Sequence, residues 1–213
     1  FGLINIDGEF KRKRFTGGLY INDELVNINF LGSADFSSEL PAFDFQADIE
    51  HANLAKLNLV TSDSNTLLTT STDFKFQGNT LDNLIGKLRF SNTSFTQGLQ
   101  TITMKDLTLQ TALQADGGKQ MQVSSDFADA VFSGQYTFDD MADYLRMVLT
   151  EYLPSLTKGE ILPDRLNKGS FDYSIQLHHT DSLTALFLPW IKINTYTVIS
   201  GTFNPALSQV NIN

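Results

Sequence analysis

Three histidines and a scatter of carboxylates are the groups best able to do chemistry in this chain of 213 residues. His178 and His179 adjoin, so on a strand they face opposite sides and cannot ligate one metal together without local distortion. With His51 and Asp181 they can be drawn as a zinc site or a charge relay, but solvated histidines at a strand end account for them more simply. Asp139-Asp140 stand at the head of a stretch with helical periodicity, where negative charge complements a helix N-terminus. Asp116-Gly117-Gly118 reads as a hairpin turn and not a phosphate nest, because no helix is expected to start there. The run Lys11-Arg12-Lys13-Arg14 could meet anionic lipid, yet in a strand its charges divide two per face, and a solvated or edge-protecting strand is the plainer reading. Gly-x-Ser-x-Gly, HExxH, Walker, dinucleotide-fingerprint and EF-hand patterns are all missing from the sequence. No catalytic residue, metal ligand or cofactor is assigned, and the chain reads as a non-enzyme.

The totals narrow the class further. A net charge of -9 disfavours a phosphate backbone as ligand, so nucleic acid is not expected as a partner. The absence of Cys removes disulfides, thiolate zinc sites and cysteine nucleophiles together, and fits a Gram-negative periplasm. With 41% hydrophobic residues, 17 Phe and 18% charged residues the chain is expected to be ordered. Leu183 to Ile193 is the most apolar segment, but it is interrupted by Pro189 and reaches only about half of the ~20 residues a membrane helix needs. The chain reads as one β segment of a longer protein, with any anchor outside it.

The elements that would position side chains are mostly strands. Phe43, Phe45, Ala47 and Ile49 alternate with Asp44, Gln46, Asp48 and Glu50, a period of two with one apolar and one acidic face. Similar alternation runs through Phe74 and Phe76, Leu88 and Phe90, Met121 and Val123, and Phe171, Tyr173, Ile175 and Leu177. Ile102 and Met104 hold even parity whereas Leu107 and Leu109 hold odd, so a bulge or turn is expected near Lys105-Asp106. Hairpin turns are expected at Asp7-Gly8, at Asn22-Asp23-Glu24 and at Asp116-Gly117-Gly118, with Gly17-Gly18 breaking a strand. The period changes once, at 139–153, where Met141, Tyr144, Leu145, Val148, Leu149 and Tyr152 recur at three- and four-residue steps up to Pro154. The predicted fold is therefore mainly β, a long curved antiparallel sheet with one amphipathic helix packed on it. A dozen strands at ~4.8 Å spacing would extend on the order of 60 Å, either closed into a sandwich or left as an open apolar trough.

Four stretches carry a resemblance: SSDFADAVFSGQYTFDDMADYLRMVLTEYLPSL (124–156), FDFQADIEHANLAKLNL (43–59), TLDNLIGKLRFSNTSF (80–95) and SFDYSIQLHHTDSLTALFLPWIKI (170–193). Together they resemble the TamB/AsmA-like translocation and assembly module family. That resemblance implies a U-shaped antiparallel β groove, the β-taco, in an inner-membrane-anchored protein that crosses the periplasm. It further implies transport of phospholipid acyl chains toward the outer membrane, and a BamA-like outer-membrane partner engaged through regions outside this segment, which would join the rest of the same chain at both ends. The expected lipid-binding groove comprises Phe43, Phe45, Ile49, Phe74, Phe76, Leu88, Phe90, Ile102, Met104, Leu107, Leu109, Met121, Val123, Phe171, Tyr173, Ile175 and Leu177. Met141, Leu145, Val148, Leu149 and Tyr152 are the expected gate helix. The competing reading is a structural or assembly module whose interior is filled by its own side chains and whose sheet edges pair incoming strands.

Overall fold

The computed structural model describes residues 2–61, 65–138, 141, 169–179, 197–204 and 209–212. Twelve strands form one antiparallel sheet: β1 (Leu3–Lys11), β2 (Arg14–Asn22), β3 (Val26–Asp35), β4 (Ala42–Asn53), β5 (Thr66–Gln77), β6 (Ile85–Gln97), β7 (Gln100–Leu113), β8 (Lys119–Ser125), β9 (Ala128–Gly134), β10 (Phe171–Leu177), β11 (Val198–Asn204) and β12 (Gln209–Ile212). Their order in space is their order in sequence, so the sheet is an unbroken meander with β1 and β12 at its edges. Alternating strands joined by short turns allow this arrangement, since antiparallel neighbours need no crossover helix. β3 to β7 run to between 10 and 14 residues, against an ordinary length of about 5 to 6. The sheet is therefore tall enough to carry several rows of side chains on each face.

Turn placement departs from the sequence reading at the first hairpin. β1 runs straight through Asp7-Gly8, and the chain reverses instead at Arg12-Lys13, whose φ values of 52° and 64° are both left-handed. Positive φ at both central residues is the type I′ pattern whose twist matches the flanking strands, so pairing imposes it on two residues that do not favour it. Gly17-Gly18 does not break β2. Gly8, Gly17 and Gly32 lie opposite one another on three strands, where the backbones approach closely. A Cβ on Gly17 would stand 2.5 Å from the Gly8 Cα. The turns at Asn22-Asp23-Glu24 and Asp116-Gly117-Gly118 form as expected, closed by reciprocal bonds between Asp23 and Val26 and by Gln114 N donating to Gly118 O at 2.8 Å. Phe74 and Phe76 lie near the end of β5.

The parity change between Met104 and Leu107 belongs to a line of irregularities crossing the five strands β3 to β7. Register shifts occur between Asn27 and Ile28, between Ile49 and Ala52, and between Thr69 and Ser71. Asn92, at φ 50°, interrupts β6, where the ladder to β7 skips the position opposite Lys105. Because β4, β6 and β7 change parity together, the apolar set stays on one face along the whole strand height.

The helix expected at 139–153 falls almost wholly outside the described residues, as do Leu183 to Ile193. Of that span only Met141 is described: its N–H donates to Thr137 O at 3.2 Å, and its side chain is buried. The described residues are also helical at the 3-10 turn Leu81–Asn83. Buried side chains concentrate at one end of the sheet, where Met121, Phe132, Tyr136, Met141, Phe171, Tyr173 and Phe203 form a cluster.

Candidate functional site

Cross-strand register assembles the apolar side chains into rows. One row runs Phe10, Phe15, Ala34, Phe43, Phe76, Gly86, Thr111, Met121, Phe132, Tyr173 and Gly201 across β1 to β11. The next runs Gly8, Gly17, Gly32, Phe45, Phe74, Leu88, Leu109, Val123, Ala130, Ile175 and Ile199. A third joins Ile6, Leu19, Phe30, Ala47, Thr72, Phe90 and Leu107, with Leu177 opposite Ala128 further along. Ile49 continues the face beside Ile28, and beyond the irregular line Met104 and Ile102 face Thr93 and Phe95. Phe171 stands one row higher, between Gly134 and Phe203. All 17 residues of the expected groove thus share one face of one sheet.

The rings form a ladder along that face. Phe45 lies 5.0 Å from Phe30 and 5.1 Å from Phe74, Phe74 lies 5.0 Å from Phe90, and Phe43 stacks on Phe76 at 4.9 Å. These are ordinary offset and edge-to-face separations between neighbouring strands. Threonines interrupt the rows without leaving loose polar groups: the Thr70 hydroxyl meets that of Thr93 at 2.8 Å, Thr72 donates to Ala47 O at 3.2 Å, and Thr111 donates to Leu84 O at 2.7 Å. Their hydroxyls are taken up sideways within the sheet, so the face stays effectively apolar.

The opposite face is polar. Lys75 Nζ reaches Asp44 at 2.8 Å, Asn27 donates to Glu50 at 2.8 Å, and Arg89 is paired with Asp106. The Arg89 guanidinium holds the Asp106 carboxyl below its usual range. These pairs are solvent-exposed and each contributes little to stability.

Covering divides the apolar face into two zones. Over β4 to β6, Phe43, Phe45, Phe74, Phe76, Leu88 and Phe90 are only half-buried, and a hollow of about 490 Å³ opens beside Phe43 and Phe76. Over β8 to β11 the face is closed: Phe171 is 3% exposed and Phe203 2%. Tyr136, Phe138 and Met141, which follow β9, pack there, and burial pushes the Tyr136 phenol up to about 12. Lys119 stands in the row of Phe171, the one charged side chain on this face among the described strands. Its ammonium lies 4.8 Å from the Tyr136 ring and donates to Asp82 O at 2.9 Å, and its burial lowers its pKa. Asp82 also accepts the Phe138 N–H at 2.7 Å, which ties the strap after β9 to the β5–β6 connection.

No protein-family model matches the chain, and no curated protein or solved structure matches it either. The site must be read from its own geometry.

The histidines do not converge. His51 contacts Glu24 O at 3.2 Å on β4, and His178 meets Asp129 at 2.9 Å after β10, six strand spacings or on the order of 30 Å away. Ser124 donates to the same carboxylate at 2.5 Å, and these two bonds lower the Asp129 pKa, Ser124 contributing most. The serine thus bonds the carboxylate and not the imidazole, which is not the order a nucleophilic relay needs. Asp181 lies outside the described residues, and among those described no three metal-ligating side chains gather. Of the expected gate residues Met141 joins the closed cluster; Leu145, Val148, Leu149 and Tyr152 lie outside the described residues. Sequence reasoning left Phe10, Phe15, Phe30 and Phe203 out of the site, although Phe15, Gly17, Leu19 and Ile21 already alternate if glycine is allowed an apolar position.

Proposed function

We propose that this chain is a segment of a hydrophobic groove along which phospholipid acyl chains move between the inner and outer membranes of a Gram-negative bacterium, within an inner-membrane-anchored protein that spans the periplasm. One observation carries the reading: a continuous apolar face, several rows high and eleven strands wide, with large rings only partly buried over β4 to β6. Exposed apolar surface of that extent ordinarily has an occupant. Acyl chains fit it because contact worth ~25 cal/mol per Å² is non-directional and nearly equal from row to row. A chain can then pass from Phe43-Phe76 to Phe45-Phe74 without losing a specific bond. The transfer requires no reaction and no cofactor. Tyr136, Phe138 and Met141 narrow the path at its far end. The resemblance to the TamB/AsmA-like family supplies the compartment, the role in outer-membrane biogenesis and the BamA-like partner reached through other parts of a longer protein.

Photoreactive residues at Phe45, Phe74 and Phe90, compared with Asp44, Lys75 and Arg89 on the opposite face, test the reading in cells. Phospholipid should label the first set and spare the second; equal labelling, or none, sinks the proposal. A strand-pairing assembly module is the second reading, favoured by β1, whose nine residues are all exposed. It predicts a fragment that stays lipid-free in native mass spectrometry and binds unfolded outer-membrane strands.

A further inference from the structure

We infer that the β1–β2 hairpin tip is a docking surface for the headgroup layer of an anionic phospholipid bilayer. On a strand, Lys11, Arg12, Lys13 and Arg14 would be split between two faces. In the fold Arg12 and Lys13 form the turn itself, at φ 52° and 64°, and Lys11 and Arg14 pair directly behind them. All four are exposed and project from one corner of the sheet. Only Arg14 has an acidic partner, Asp35, which also accepts the Ser37 N–H at 2.9 Å. Lys11, Arg12 and Lys13 make no ion pair among the described residues, and they gather on a chain whose net charge is -9. Lys11, Arg12 and Arg14 also border a hollow of about 590 Å³ shared with Glu9 and Asp35.

Aromatic rings accompany the charges, and they favour a bilayer over a purely polar polyanion. Phe10 is 67% exposed and Phe36 45%, and the Phe36 N–H donates to Lys13 O at 2.9 Å, fixing that residue to the tip. Phe36 meets Phe43 edge-on at 5.9 Å, so the aromatic corner is continuous with the apolar face. Cations beside exposed aromatics match an interface that is anionic at its surface and apolar beneath. The inference goes beyond the groove reading, because a tip that rests on a membrane need not conduct lipid.

Each cation near an anionic surface strengthens binding by about fivefold at low salt, so three unpaired ones give on the order of 100-fold. The test is co-sedimentation of the 213-residue chain with vesicles of phosphatidylcholine alone or mixed with phosphatidylglycerol. Binding to the mixed vesicles that weakens with added salt is the expected result. The double variant Arg12→Asn with Lys13→Gly removes two charges while giving a type I′ turn its favoured residues, so it keeps the hairpin and should bind about 25-fold less. Phe10→Ser should weaken binding to the mixed vesicles as well. Wild-type protein that ignores the mixed vesicles overturns the inference. So does unchanged binding in the double variant, or retention on a soluble acidic polypeptide without retention on vesicles. Phospholipid labelling at Phe45 in the double variant reports on the groove separately, so either idea can fail without the other.

Discussion

Replacing Phe45 and Phe171 by Ala, one at a time, measures whether the apolar face is open where the rings are half-buried. Phe171 is 3% exposed and lies 5.5 Å from Tyr136, 5.4 Å from Phe203 and 6.4 Å from Phe132. Its removal leaves an enclosed cavity and should cost about 3 to 5 kcal/mol. Phe45 packs against Phe30, Phe74 and Phe76 at 5.0, 5.1 and 6.4 Å, but its outer side faces no second layer among the described residues. Truncation there forfeits roughly two-thirds of a ~2 to 3 kcal/mol burial together with roughly 1 kcal/mol of ring contact, and water fills the gap, so no cavity penalty is added. The expected cost is about 2 to 3 kcal/mol, roughly tenfold less effect on the folding constant than Phe171→Ala. Urea unfolding followed by far-ultraviolet circular dichroism reads both values, provided the slope with denaturant is unchanged. Adding a single-chain phospholipid below its micelle concentration should stabilise the wild type more than Phe45→Ala, because a ligand that binds only the folded state raises stability with the logarithm of its concentration over Kd, and the variant binds it more weakly. Equal costs for the two substitutions, with no ligand effect, would refute an open face.

The remaining predictions concern packing and charge. A Cβ on Gly32 would stand 2.2 Å from the Phe45 Cβ, so Gly32→Ala must displace β3 from β4 and should cost about 1 to 3 kcal/mol; a variant as stable as wild type in the same urea assay contradicts the close approach. Asp129 has a folded pKa lowered chiefly by Ser124 and then by His178, so its stabilising effect is complete above about pH 4 and is lost as pH falls through the lowered value. Asp129→Asn should be less stable at neutral pH yet lose less stability on acidification. Its carboxylate side chain is 48% exposed, so the effect is well short of a buried pair's; parallel urea-midpoint curves against pH for the two proteins would remove Asp129 from the acid response.

The sequence by itself determined that this chain is a run of one-sided strands, because a period of two is written in neighbouring residues. Phe43, Phe45, Ala47 and Ile49 against Asp44, Gln46, Asp48 and Glu50 need no tertiary contact to be recognised, and neither does the turn at Asp116-Gly117-Gly118. The first hairpin was not legible, since Asp7-Gly8 carries the stronger local turn signal and only the pairing of Phe10 with Phe15 moves the reversal to Arg12-Lys13. That shift turned a basic strand into a basic corner. The site likewise depended on the sheet. Ile49 and Ala52, or Met104 and Leu107, have opposite parity in sequence, and only the matched irregularities across β3 to β7 return them to one face. Which rings lie open and which are covered was decided last, by Tyr136, Phe138 and Met141 crossing from the end of β9 onto Phe171 and its neighbours, since burial is set by what packs above a residue and not by the residue itself.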